Sequence, residues 1–299
     1  MPKSGQPWDQ SFLAGHPLFR AFEPFARPLR TPNWPGPEDF TRVCAEFCAR
    51  SGLELSPLSF RAMEKKSRRE KRSSVELERL YDGSIALSSE VPCLKESYHD
   101  LLNAIVFCAF PRAKRALHAR QFRALKAWLE ENGVLAEETT APRLPGARSR
   151  EQDALTIFDE GGTVLLFTER AHETWKGART RLCLEDFGPD QVLPLLFGHA
   201  LLEHLVDGQR ALRSSGVILV LPEPEGELLA LARDQDLLEL FAYVDARLAA
   251  RLEDPGEFRL PGADSIFELS SGKVFVGPPK PAWHLPNSSD TLHSLEIPA

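Results

Sequence analysis

The stretch Ser97-Tyr-His-Asp-Leu-Leu-Asn-Ala-Ile-Val-Phe-Cys-Ala-Phe110 carries the strongest structural signal in this chain of 299 residues. At 100° per residue its apolar side chains surround the axis, which predicts a helix buried on nearly every side. The polar side chains of His99, Asp100 and Asn103 would then lie away from water, and each needs a partner or a purpose. Ser97 and Asp100 have the spacing of a capping box, so Asp100 could simply close the helix N-terminus. A cap does not account for His99 and Asn103, which lie four residues apart on one side.

A second helix is predicted directly downstream, over 111–131, because Pro111 suits a first helical turn and not a helix interior. Small and apolar residues form one stripe of this helix, and cationic side chains gather opposite. Such a basic face is normally solvated, but together with the basic run Arg61–Arg72 it could form a patch for a phosphate-bearing ligand. The candidate anion-binding residues are Arg112, Arg115, Arg123 and Lys126.

A third segment, Pro194-Leu-Leu-Phe-Gly-His-Ala-Leu-Leu-Glu-His204, is predicted to belong to a helix over about 189–206. His199 and Glu203 are four residues apart and point together into an apolar face. That geometry suits two metal ligands, or a general base oriented by a carboxylate, and a purely structural His–Glu hydrogen bond would fit equally. Gly198 costs about 1 kcal/mol in a helix, which indicates that something packs closely against it.

A fourth segment surrounds Asp159-Glu-Gly-Gly162, where two short β-prone runs, 154–158 and 164–168, predict a hairpin. In this interpretation Asp159 and Glu160 are turn residues. Asp153, which precedes the first hydrophobic run, is less easily assigned to a turn and is kept as a candidate catalytic residue.

The composition is that of a soluble globular protein, with 42% hydrophobic residues, 26% charged residues and a formal net charge of −7. This charge excludes a polycation that coats nucleic acid by bulk electrostatics. The five cysteines are an odd number without a Cys-x-x-Cys pair, which indicates a reducing compartment. No apolar run is long enough to cross a bilayer, and the N-terminus lacks the apolar stretch of a signal peptide. We therefore expect a cytoplasmic protein with no membrane partner.

Eight prolines in the first 37 residues predict an extended arm over 1–37, which wraps the body because it also carries large apolar side chains. A globular domain over 38–276 follows, with the loop 133–152 as a candidate sub-boundary, and then a tail over 277–299. Further predicted elements are a helix at 38–51, a strand at 216–221 and a helix within 227–252. The sum is an α+β fold: a predominantly helical, single large domain with a small antiparallel sheet or hairpin and a Pro-rich N-terminal arm.

Three blocks of the sequence resemble the signature blocks of an uncharacterised bacterial family, the domain of unknown function 3025. They are Tyr98–Lys114, Asp153–Gly162 and Phe197–Glu203, and they occur in the family's order within about 80–206. The family has no established activity to carry over. The resemblance implies a bacterial, cytoplasmic protein whose distinctive residues are those that the burial argument selects.

Three interpretations of these residues stay open. In the first, the chain is a metal-assisted hydrolase: His99, His199 and Glu203 bind a divalent ion that activates water for attack on an ester or phosphate bond. Asp100 or Asp153 would complete that site, and Asn103 would orient a ligand. In the second, the basic face binds an anionic small molecule, or nucleic acid as a less favoured partner, without catalysis. In the third, the buried polar groups only satisfy one another.

Overall fold

The computed structural model describes residues 7–53, 58–63, 75–135, 140–142, 144, 146–188, 191–222, 237–254 and 264–279. Of these residues, 52% are helical and 20% lie in strands, and a curled, mixed sheet of six strands forms a principal layer of the fold. The predicted fold class, a predominantly helical domain with a small antiparallel sheet, is therefore wrong. Sequence patterning misses most of this sheet because its strands come from six separate segments, and one interior strand is apolar on both faces rather than alternating.

The six strands lie in the order β6-β10-β9-β8-β5-β7. β5 and β8 pair in parallel, whereas every other neighbouring pair in this sheet is antiparallel. All seven residues of β5 are buried. The strands are β5 (Gly162–Thr168), β6 (Leu182–Cys183), β7 (Val192–Leu196), β8 (Leu212–Leu221), β9 (Ser265–Ser270) and β10 (Lys273–Val276).

Two further pairs of strands lie outside this sheet. β1 (Ser59–Ala62) pairs with β3 (Glu90–Cys93) in parallel, and β2 (Val75–Glu76) pairs with β4 (Thr140–Ala141) in antiparallel.

Helices α1, α2, α5, α8 and α9 all contact one buried helix, α4. Each residue of α4 from 101 to 109 is buried, which confirms the helix predicted from its all-round apolar character. The predicted helices at 38–51 and 111–131 are also confirmed, within a residue of their ends. The helices are α1 (Glu23–Ala26), α2 (Pro37–Arg50), α3 (Tyr81–Ser88), α4 (Tyr98–Ala109), α5 (Pro111–Glu131), α6 (Arg150–Gly161), α7 (Glu169–Lys176), α8 (His199–Val206) and α9 (Leu237–Glu253).

The predicted hairpin at 154–168 is wrong in its first half. Residues 154–158 belong to α6, which begins at a capping box: the Ser149 hydroxyl accepts from the Gln152 N–H, and the Gln152 side chain accepts from the Ser149 N–H. Residues 162–168 form β5 as a central strand, paired with β7 and β8 rather than with the preceding segment. The capping box correctly indicates a helix at residues 154–158, whereas the short apolar run alone suggests a strand.

The predicted helix over 189–206 is also partly wrong, because Val192–Leu196 is strand β7 and the helix begins only at His199. Gly198, placed inside that helix by the prediction, is instead its N-cap residue. The predicted strand at 216–221 lies within β8. The helix predicted within 227–252 is seen from Leu237, and residues 223–236 lie outside the described residues.

The N-terminal segment from residue 7 packs its aromatic side chains into the main core. Two short 3₁₀ turns, Pro17–Phe22 and Arg27–Leu29, flank α1 and bury Phe19, Phe22 and Phe25. Apolar residues from Phe12 to Val276 form one continuous core that includes chain on both sides of residues 133–152. Of the segment over 277–299, only 277–279 are described. Among the described residues, no helix combines the length and the apolar character needed to cross a membrane.

Candidate functional site

Helices α4 and α8 bring three of the predicted site residues together. The Nδ1 atom of His99 lies 3.1 Å from Oε2 of Glu203, and the rings of His99 and His199 meet edge to face with centroids 4.5 Å apart. His199 is only 3% exposed, whereas the His99 side chain is 37% exposed. The cluster therefore has a buried member and a member that a ligand can reach.

Gly198 explains how His199 reaches this position. A Cβ atom at Gly198 would lie 2.4 Å from the carbonyl oxygen of Glu160, so the N-terminus of α8 packs directly on the C-terminal backbone of α6. The prediction of close packing at Gly198 is confirmed. The contact places Nδ1 of His199 3.0 Å from the carbonyl oxygen of Asp159. A helix leaves its last four carbonyl groups without a partner inside the helix. The Asp159 carbonyl is one of these groups in α6, and the imidazole of His199 donates a hydrogen bond to it.

The partners of the two imidazoles define which ring nitrogen holds the proton. A carbonyl oxygen can only accept, so His199 donates from Nδ1 and keeps its lone pair on Nε2. Burial lowers the pKa of His199 to about 3, which keeps this imidazole neutral near pH 7. His99 donates from Nδ1 to the Glu203 carboxylate in the same way. The Nε2 atom of the accessible His99 is then available to take a proton or bind a ligand.

A buried ion pair that the sequence patterns do not predict lies next to His199. Lys114 is fully buried on α5, and its Nζ donates to Oδ1 of Asp159 at 2.5 Å and to Oδ1 of Asn103 at 3.0 Å. The ammonium also lies 4.4 Å from the centroid of the Phe107 ring, in a cation–π contact. Burial lowers the pKa of Lys114, and the carboxylate of Asp159 opposes this shift. Burial alone would raise the pKa of Asp159, but the charge and hydrogen bond of Lys114, together with smaller contributions from His118 and His199, hold that pKa below its usual range.

The polar cluster extends from this ion pair to α3. Asn103 donates from Nδ2 to the Tyr81 hydroxyl at 2.9 Å, and burial raises the pKa of that hydroxyl. Nδ1 of His118 lies 2.8 Å from Oδ1 of Asp82. Nε2 of His118 is buried, has no hydrogen-bond partner among the described residues and lies 3.8 Å from Oδ1 of Asp159. Side chains of α3, α4, α5, α6 and α8 thus meet in one polar cluster.

Asp100 and Asp153, the remaining predicted carboxylates, lie in different surroundings. Ser97 is the N-cap of α4, and its hydroxyl accepts from the N–H of Asp100 at 3.3 Å, while burial raises the pKa of Asp100 itself. Asp153 is exposed in the first turn of α6, about 9 Å along the axis from Asp159 at 1.5 Å per residue. The turn assignment of Asp159 and Glu160 is wrong, because both lie in α6, where Asp159 is buried and Glu160 is exposed.

The predicted metal ligands His99, His199 and Glu203 do not form a ligand set. Within the part of the chain that the structure describes, no group of three or more His, Cys, Asp or Glu side chains is arranged to hold a metal ion. In the predicted set, His99 and Glu203 direct a nitrogen and an oxygen at each other. His199 directs Nδ1 at a backbone carbonyl. The described geometry therefore lends the metal assignment no support.

The predicted anion-binding residues are spread along α5. Arg112 and Arg115 line a groove of about 370 Å³ between α5 and α9, and Arg115 also donates to the Ser89 hydroxyl. Arg123 is exposed, and Lys126 lies near Glu130. Most of the basic run Arg61–Arg72 lies outside the described residues, so its predicted meeting with this helix is not tested.

The N-terminus of α5 itself already has an anionic partner. The fully buried carboxylate of Asp245, on α9, accepts from the N–H groups of Arg112 and Ala113 at 3.0 and 2.8 Å. These are the orphan donors at which a bound anion would otherwise sit.

Sequence reasoning missed Lys114, His118 and Asp159 as members of the cluster. Lys114 carried a usable signal: it lies one turn before Leu117 on the same helical face of α5, and both residues are buried. A lysine in the middle of an apolar stripe predicts a buried partner. For Asp159 the signal was hidden by the mistaken hairpin.

The fold and the site define a protein with helices and a mixed sheet, in which a buried Lys–Asp pair and a more exposed His–Glu pair belong to one polar cluster. A family model described as "Protein of unknown function (DUF3025)" matches residues 70–262, so the chain belongs to this family, as its sequence blocks indicated. The matched region contains both pairs. A comparison with curated proteins finds no match, and a comparison with solved structures finds none.

Proposed function

We propose that the protein is a cytoplasmic hydrolase in which His99, oriented by Glu203, acts as the general base that activates water for attack on an ester or phosphate bond. The observation that carries this proposal is the 3.1 Å contact between Nδ1 of His99 and Oε2 of Glu203, on a side chain that is 37% exposed. A carboxylate on Nδ1 fixes the ring and leaves Nε2 to accept the proton of water.

His199 and Asp100 complete the proposed site. The neutral ring of His199 stands against His99 and limits where the His99 ring can turn. Asp100 lies next to His99 at the N-terminus of α4, and its burial raises its pKa, which favours the protonated form that a general acid needs. Asn103 and Asp159 act below the surface, through Lys114.

A divalent cation bound by His99, His199 and Glu203 is the other way in which this cluster could activate water. Since no trio of His, Cys, Asp or Glu side chains among the described residues forms a ligand set, proton transfer by His99 is the better supported route. The two routes differ in their response to a chelator.

The test is an assay of the purified protein with p-nitrophenyl acetate and p-nitrophenyl phosphate, before and after dialysis against EDTA. We expect His99→Gln to lower kcat/KM by about 10²–10⁴-fold and Glu203→Gln by a smaller factor, with activity retained after chelation. His204→Gln is the matched control, because His204 is an exposed histidine next to Glu203 on α8. Equal activity of His99→Gln and His204→Gln would overturn the general-base role, and loss of activity with EDTA that Zn²⁺ or Mn²⁺ restores would replace it with the metal route.

A second candidate function is the binding of an anionic ligand without catalysis. It is favoured by one observation: Arg112 and Arg115 line the same groove between α5 and α9. Titration calorimetry with inorganic pyrophosphate and with a single-stranded oligonucleotide would test it. We expect Arg112→Ala to weaken binding and the exposed Arg123→Ala to leave it unchanged.

A further inference from the structure

Lys114 contacts α4, which carries His99, and α6, whose C-terminal turn accepts a hydrogen bond from His199. Through Asn103, Lys114 is bound to α4. His99 lies four residues before Asn103, on the same face of this helix. Through Asp159, Lys114 is bound to the C-terminal turn of α6. The backbone carbonyl of that same Asp159 accepts from Nδ1 of His199.

The geometry around this lysine leaves it little freedom. Its side chain is 0% exposed, its ammonium makes hydrogen bonds to two side chains, and the rings of Phe107 and Phe197 lie at 4.4 and 5.6 Å from Nζ. Phe197 is two residues before His199 in the chain. A buried ammonium held by two oxygen acceptors and two aromatic rings fixes the relative positions of the elements that carry them.

We propose that Lys114 is a positioning residue, which sets the separation of His99 and His199 and holds His199 in the tautomer with its lone pair on Nε2. This inference rests on the proposed function, because it assigns Lys114 a role in that same site. Lys114 acts through Asn103 on one side and through Asp159 on the other, and does not touch the substrate.

The test must separate positioning from stability. Lys114→Met alone leaves the Asp159 carboxylate buried without its cation, and such a variant can fail to fold. The double variant Lys114→Met/Asp159→Asn removes both charges and keeps the backbone carbonyl at 159. We expect it to fold cooperatively in urea while its His199 ring, observed by ¹⁵N NMR with imidazole-labelled histidine, no longer shows the single Nδ1–H tautomer of the wild type.

The chain offers a matched control on the same two helices. Nε of Arg120, on α5, lies 2.6 Å from Oε1 of Glu151, on α6, and Arg120 is 4% exposed. The double variant Arg120→Met/Glu151→Gln removes this α5–α6 ion pair, together with the hydrogen bond that Nη1 of Arg120 donates to the carbonyl oxygen of Leu252 on α9 at 2.9 Å. We expect Arg120→Met/Glu151→Gln to leave the His199 spectrum unchanged. We expect Lys114→Met/Asp159→Asn to lower kcat on the order of tenfold to 100-fold, with little change in KM.

A folded Lys114→Met/Asp159→Asn variant with the wild-type His199 tautomer and the wild-type kcat would overturn the positioning role. The NMR measurement keeps this inference separate from the hydrolase proposal. If the wild type hydrolyses neither substrate, the hydrolase proposal fails, and the His199 tautomer still decides whether Lys114 positions the ring.

Discussion

The polar cluster contains two pairs of the same kind in very different surroundings. In the lower pair, the side chains of Lys114 and Asp159 are 0% and 11% exposed; in the upper pair, those of His99 and Glu203 are 37% and 16% exposed. Removing a partner from a buried ion pair leaves an uncompensated charge in a medium of low dielectric, whereas an exposed pair is replaced by water at little cost. The lower pair can therefore hold the fold rigidly, whereas losing the upper pair should cost the fold little stability.

The largest effect is expected at the lower pair. Lys114→Met should reduce the free energy of unfolding by about 3–5 kcal/mol, because Asp159 then lies buried without its cation. Urea denaturation followed by circular dichroism measures this change. A loss below about 1 kcal/mol would show that water reaches Asp159, and would remove the contrast between the two pairs.

Asp245 sharpens the comparison, since it is a buried carboxylate that accepts from two backbone N–H groups instead of from an ammonium. Burial raises its pKa to about 7, the opposite direction from Asp159. A pKa raised in the folded state means that this state binds the proton more tightly than the unfolded chain. The associated stability is present at low pH and is lost as the pH rises from about 4 through about 7.

We therefore expect the stability of the wild type to fall relative to Asp245→Asn over that interval, by up to about 1.4 kcal/mol per pH unit. Asparagine is the informative substitution because its side-chain oxygen can still accept from the N-terminus of α5. Urea unfolding of both proteins at pH 5, 6, 7 and 8 measures the difference. Parallel stability curves for the two proteins would contradict an Asp245 that takes up its proton near neutral pH.

The smallest effect on stability is expected at the upper pair. Glu203→Gln should change the free energy of unfolding by no more than about 1 kcal/mol, although it lowers the proposed activity, since its partner His99 can bind water instead. Asp153→Asn, on the exposed first turn of α6, is the control and should alter neither stability nor activity. A loss at Glu203→Gln as large as that at Lys114→Met would mean that both pairs are structural.

The local sequence signals were sufficient where a single helix determines its own environment. The apolar surround of α4 correctly indicates that Asn103 is buried, and Gly198 correctly indicates a close approach. The predicted placement of His199 and Glu203 four residues apart on one helix is also correct, because both lie in α8. These inferences need only the periodicity of one element and the steric size of one residue.

The signals were insufficient where packing between distant segments decides the outcome. Residues 154–158 are apolar enough for a strand, and only the capping box at Ser149 distinguishes them as helix. The six-stranded sheet depends on pairings such as Thr163 with Gly216, which no local pattern encodes. Asp159 joins the site only because α6 ends against Gly198, so its role follows from tertiary structure alone.

The aromatic contacts of the N-terminal segment have a consequence for the order of folding. Phe22 and Phe25 pack against Phe241 of α9, in a tilted and an edge-to-face arrangement, with ring centroids 5.6 and 5.0 Å from that of Phe241 across more than 200 residues of chain. During synthesis Phe22 and Phe25 leave the ribosome long before Phe241. They therefore cannot contact Phe241 until α9 has emerged. For that interval both side chains lack the ring against which they pack in the folded protein, so this part of the core can be completed only after α9 has been synthesised.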